Sequence, residues 1–265
     1  MNILRHDLAR NRRTFLVWTA SMAILSVGLL SMYSSVAGSA TGIEQYAEAF
    51  PETLKRAFGL DRLRLSDILG YFGTEVHIMI ILFGSMFAVL LSSGLLSREE
   101  NEKTVEFLLA RPVTRYRVVT GKLGTYVTYV LLFSAVVWAA SYAAILIVHK
   151  GDFDRRGFWN LALMTTLVLL TFANLGFLGS VFVTRNRTVY SGALGFVLVM
   201  YALQVAADVS ERLGFLKYVT PMKWASAADI LTAGIPGVYL VIMLVVNAAA
   251  LAVTYYAYAR KDILL

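Results

Sequence analysis

"RYRVVTGKLGTYVTYVLLFSAVVWAASYAAILIV", residues 115–148, runs for 34 positions with nothing to interrupt helical propensity. At 1.5 Å rise per residue a helix of that length is about 51 Å long, whereas a bilayer's hydrocarbon core takes up only ~30 Å. The stretch therefore reads as a membrane-spanning helix whose first two turns project past the lipid. Working outward, further stretches of comparable length and apolarity occur on both sides. The full set is 14–33, 71–96, 123–148, 158–183, 189–207 and 236–258, which predicts six transmembrane helices.

Composition agrees with lipid as the solvent, since 58% of the 265 residues are apolar and only 15% are charged. None of the six runs alternates apolar with polar residues as the strands of a membrane barrel do, so the expected fold class is all-α. The chain has no cysteine, which removes disulfides and thiolate metal sites from consideration. The basic N-terminus followed by an apolar run has the layout of a signal peptide. Its run of some 20 residues nevertheless exceeds the roughly 7–15 of a signal core, and five more spans follow it.

Six spans put both termini on one side. With that side cytoplasmic, fourteen Lys and Arg fall inside and ten outside, and the outer ones are spread over longer loops that carry most of the acids. This bias follows the positive-inside rule and predicts a multi-pass protein of the plasma membrane with both termini cytoplasmic. The net charge of +7 is then a matter of topology, and nucleic acid is not needed to explain it.

Residues 1–13 place Met1, Leu4 and Leu8 on one helical face among Arg5, Arg10, Arg12 and Arg13, the pattern of an amphipathic helix lying in the interface ahead of the six-span region 14–265. Residues 34–70 are too polar to span but carry recurrent aromatics and leucines, with Pro51 placed to start a helix and Gly59 to stop it. Residues 208–235 hold a second short helix in "KWASAADILTAG", ended by Gly234, with Pro236 opening the last span. Both segments predict short helices on the outer face.

The connection between spans two and three is the most charged part of the chain. From Arg98 to Ala110 it lacks Gly and Pro; Val105, Leu108 and Leu109 share a face, and Glu99 precedes Lys103 by four residues, the favourable order for a helical ion pair. Arg111 is biased out of the α region by Pro112, and Thr114 can cap the helix that follows. A short amphipathic helix on the inner face is expected. Its apolar side, Val105, Phe107, Leu108 and Leu109, fits either a protein partner or lipid headgroups, and the residues alone do not choose.

This connection resembles the one after the second span in the six-helix permeases of ABC exporters of the type-2 class, where it reads approximately E-x-x-x-G-T-x-x-x-L-L-x-x-P-[VI]-[ST]-R and then G-K. Glu100, Thr104, Leu108, Leu109, Pro112, Val113, Thr114, Arg115, Gly121 and Lys122 match at those spacings, and Lys103 stands where the family usually has glycine. Weaker similarity extends over "FPETLKRAFG", "VTPMKWASAADILTAG" and "YARKD". The resemblance implies that residues 98–111 are a coupling helix seated in a groove of a separate ABC ATPase. Val105, Phe107, Leu108 and Leu109 would be its packing knobs, while Arg98, Glu99, Glu102, Lys103 and Glu106 set register and Pro112 fixes the angle to the third span. It further implies two copies of the ATPase, which bind ATP and Mg, and a second permease copy, most simply in a homodimer. The substrate implied is a hydrophobic or amphipathic peptide, lipid or drug moved out of the cytoplasm.

No cofactor is expected on this chain itself. A phosphate loop needs G-x-x-x-x-G-K-[ST], and the single Gly-Lys pair, Gly121-Lys122, is followed by Leu123 and has Tyr116 at the first glycine's place. Ion-coupled carriers usually hold carboxylates, histidines or arginines deep in their spans, and here the deeper polar groups are Thr165, Thr166, Thr171, Asn174, Gln204 and Asn247. Interhelical hydrogen bonding is the plain role for these, with Asn174 and Gln204 the candidates for a translocation pathway. Glu99-Glu100 invites an intramembrane protease reading, but position 104 is Thr rather than Arg, and His6, His77 and His149 lie at span ends or outside. A carrier or a non-transporting scaffold remains the alternative to the permease.

Overall fold

The computed structural model describes residues 3–38, 50–97, 114–182 and 186–261. All regular structure among them is helical. Six segments are long and apolar enough to cross a membrane, and they coincide with the six expected from hydropathy.

Helix α1 (Ile3–Ser31) runs without a break from the basic N-terminal segment into the first span, so the residues expected as a separate interfacial helix form, from Ile3, its first turns. A short α2 (Tyr33–Gly38) follows. Helix α3 (Glu52–Phe58) starts after Pro51 and stops at Gly59, whose φ of 72° is a left-handed conformation open to glycine at little cost. The second span is composite. Helix α4 (Ile68–Tyr71) passes through a π-helical turn, Phe72–Val76, into α5 (His77–Ser93). Asp67 caps its start by accepting from the Gly70 amide at 2.9 Å.

Helix α6 spans Arg115–Val148, the full 34 residues read as uninterrupted, and the Thr114 hydroxyl accepts from the Arg117 amide at its start. Helices α7 (Arg155–Phe182) and α8 (Asn186–Val209) form the next two spans. Two 3-10 segments, Glu211–Tyr218 and Pro221–Ala225, lead to α9 (Ala227–Ala233) and then to the last span α10 (Gly237–Arg260). The breaks at Gly234 and Pro236 fall where the sequence places them.

The spans are not equivalent. In their apolar windows α4–α5 and α7 are 67% and 61% buried, whereas α8 is 6% buried, so the composite second span and α7 form the centre and α8 is a flank. Phe72, Trp138 and Phe158 meet with ring centroids 5.3–5.7 Å apart and join α6 and α7 to the π-helical turn. Phe87 stacks on Phe133 at 4.9 Å one level further in.

The segments after α2, α6 and α8 gather at the end of the bundle opposite the termini and make a packed cap. Tyr33 donates to the Ser66 carbonyl at 2.8 Å and Tyr71 to the Leu29 carbonyl at 2.9 Å, stitching the first two spans there. Gly70 is required by this packing, since a Cβ at that position would lie 2.0 Å from the Arg64 carbonyl oxygen.

Candidate coupling face and polar sites of the bundle

Of the predicted coupling residues, Arg98, Glu99, Glu100, Glu102, Lys103, Thr104, Val105, Glu106, Phe107, Leu108, Leu109, Arg111 and Pro112 lie outside the described residues. Arg115 does not, and it sits at the first turn of α6, where that stretch rejoins the bundle. Its guanidinium donates to the carbonyls of Ala259 at 3.0 Å and Lys261 at 2.7 Å, with Tyr258 at 3.4 Å. These are the carbonyls that the end of α10 leaves without helical partners, and a planar five-donor cation suits them. One turn on, Thr120 and Tyr255 share a hydroxyl contact at 2.8 Å, and Tyr116 stacks on Tyr255 at 6.1 Å. The projecting start of α6 is thus fastened to the end of α10.

Its other side is fastened to α1. Lys122 and Asp7 are both buried, and their charged atoms are 3.6 Å apart. The Tyr129 hydroxyl donates to the Leu8 carbonyl, and its ring stacks on Phe15 at 4.7 Å. The helices approach closely because Gly121 and Gly124 face Ile3 and Leu4, where a Cβ would stand 3.1 Å and 3.3 Å from their side chains. Sequence reading missed Asp7 altogether. The signal that could have found it is the pair of glycines three apart flanking Lys122, which marks a close helix contact around a charge too deep to stay unpaired. Lys122 lies in mid-helix against α1, a setting unlike a phosphate loop.

Asn174 lies in the middle of α7 and bridges two other spans. Its Oδ1 accepts from the Tyr126 hydroxyl of α6, and its Nδ2 donates to Asn247 Oδ1 of α10. Asn247 in turn donates to Thr171 Oγ1 at 2.9 Å and to the Met243 carbonyl at 2.7 Å. Every polar atom of the two amides thereby has a partner, which is what a buried amide needs in a low-dielectric interior.

Gln204 is separate from this network. It lines a cavity of about 50 Å³ beneath the cap, whose polar groups come from Arg62, His77, Tyr201, Asp208 and Lys223 and whose remaining wall includes Ile78, Ile81 and Met222. The Gln204 Oε1 is buried without a hydrogen-bond partner, whereas His77 is buried and its Nε2 lies 2.9 Å from the Thr165 hydroxyl. Along one wall runs an ionic chain: Asp208 with Lys223 at 2.5 Å, Lys223 with Asp229 at 3.3 Å, and Asp229 with Arg62. The chain joins the end of α8 to the second 3-10 segment, α9 and the loop before α4. Burial pushes the Asp229 carboxyl up, but Lys223 and Arg62 outweigh it and hold the group below its ordinary value. Burial likewise works against the Arg62 guanidinium, and Asp229 more than restores it.

A bundle of six lipid-length helices with a long, doubly fastened third span defines a polytopic membrane protein. The family profile of the ABC-2 family transporter proteins matches residues 1–263, and the chain belongs to that family. No curated protein matches it.

Proposed function

We propose that this chain is the permease subunit of an ATP-driven exporter, working as a homodimer with two copies of a separate ABC ATPase. Residues 98–111 are the coupling helix, and the face that bears Arg115 and both termini is cytoplasmic. The observation that carries the reading is the fastening of α6: Arg115 on the α10 carbonyls and Lys122 on Asp7 make the start of α6 a lever attached to the first and last spans at once. A push on the connection before Thr114 would move three spans together, which is how ATP-driven closure of a partner can switch a two-state bundle.

ATP and Mg act on the partner, and ATP hydrolysis there supplies the free energy. The substrate class is hydrophobic or amphipathic, with Asn174 and Gln204 beside its path. For Gln204 the supporting observation is its unpartnered buried oxygen in a cavity; Asn174 contributes by tying α7 to two of the spans that the lever moves, α6 and α10.

Co-expression with candidate ABC ATPases tests this. The expected result is a stable complex whose ATP turnover Leu108→Asp alters. Failure of any ATPase to bind, or turnover indifferent to that substitution, overturns the reading.

A further inference from the structure

The first 3-10 segment, Glu211–Tyr218, turns unusual side chains outward for a connection in a packed cap. In a 3-10 helix residues three apart eclipse, so Arg212, Phe215 and Tyr218 form one stripe. Phe215 is 62% exposed and Tyr218 47%, and Val219 beside them is 54% exposed. Lys217 stands on the flank of this stripe with its ammonium 5.1 Å from the centre of the Tyr218 ring. Aromatic rings interleaved with bases are the composition of a membrane–water boundary, where the ring enters the apolar side and the cation reaches phosphate.

Position agrees with composition. The Tyr218 ring makes an edge contact with Tyr239 in the first turn of α10 at 6.4 Å. On that same span Val238, Val241 and Leu244 are exposed, as lipid-facing residues of a membrane helix are. The outward stripe therefore lies beside the first turn of α10, at the level where that span begins. The segment is also held firmly, because buried Trp224 donates its indole N–H to the Lys217 carbonyl at 3.1 Å. Its exposed face is thus a built surface.

We propose that Glu211–Tyr218 is a binding surface for anionic phospholipid: Phe215 and Tyr218 seat among the upper acyl carbons and Arg212 and Lys217 hold the lipid phosphate. The occupant follows from charge, since two bases beside rings favour an acidic headgroup, and from the level of the segment, beside the first turn of a membrane span. The assignment does not depend on the export reading, nor on which leaflet this face meets. Through Trp224 and the adjoining Lys223, lipid contact would bear on the ionic chain that closes the cap.

The chain has no cysteine, so Phe215→Cys gives a single labelling site for a fluorophore in the full-length protein. Reconstituted in phosphatidylcholine vesicles containing a minority of phosphatidylglycerol, the label should be quenched by brominated lipid. Brominated phosphatidylglycerol should be more than tenfold more effective than brominated phosphatidylcholine, since each of the two bases is worth roughly fivefold. Arg212→Gln and Lys217→Gln should each cut that preference roughly fivefold, the worth of one base near an anionic surface. Three results would overturn the proposal: no quenching by either lipid, quenching without preference between them, or self-quenching that disappears when labelled chains are diluted with unlabelled ones. The last would assign the surface to a second copy of this chain.

Discussion

The guanidinium of Arg115 donates to the backbone carbonyl of Lys261 at 2.7 Å, so the first turn of the third span holds the end of the sixth across 146 positions of sequence. The contact uses groups that helix geometry leaves unsatisfied at every C-terminus, which makes it a joint at low cost.

Replacing Arg115 by Ala removes a charged donor from these carbonyls. Thermal unfolding in detergent should show a loss of about 1.5–3 kcal/mol, the range for hydrogen bonds to a charged group. Arg115→Lys should recover only part of it, because an ammonium cannot reproduce the planar fork. Equal stability of the Ala and Lys variants would mean that geometry at this joint is unimportant.

Lys122 and Asp7 form a buried pair between α6 and α1. Lys122→Met alone strands the carboxylate and should cost roughly 3–5 kcal/mol, whereas Lys122→Met with Asp7→Leu should regain most of that loss. A double-mutant cycle on unfolding in detergent measures the coupling, and additive losses would show that the two charges do not sense each other.

Asn174→Leu breaks the link between Tyr126 and Asn247. Interhelical hydrogen bonds within membranes contribute about 0.6–2 kcal/mol each, so a loss of roughly 1–4 kcal/mol is expected for the two. Tyr126→Phe should lose the smaller part, since it deletes one hydroxyl and leaves the Asn174–Asn247 bond in place.

The cap should loosen in acid. Asp229 is held below its ordinary pKa by Lys223 and Arg62 in the folded protein, so its contribution is fully present above the unfolded value of about 4 and is lost as pH falls through the lower folded value. The protection of amides in α9 and the loop before α4 from hydrogen exchange, taken relative to the intrinsic rate at each pH, should fall through that window in the native chain. Asp229→Asn should exchange faster at neutral pH and show less dependence on acid.

Much of the architecture was legible without coordinates. Six apolar runs, the cap of α6 at Thr114, the stop of α3 at Gly59 and the break at Gly234 and Pro236 all follow from forces acting within a dozen residues: helical propensity, capping and transfer of side chains out of water. The polar residues of the spans were visible too, but their partners were not. Asn174 meets Tyr126 and Asn247 from two other helices, and Arg62 meets Asp229 across 167 positions.

What hydropathy cannot rank is one span against another. Lipid tails are as apolar as a leucine-rich interior, so a helix facing the bilayer and one at the bundle's centre show the same pattern of side chains. Only packing sets α7 inside and α8 on the flank: Gly84 and Gly176 let α5 and α7 close on Leu169 and Ser92, whereas Gly192 and Gly195 of α8 have open space beside them.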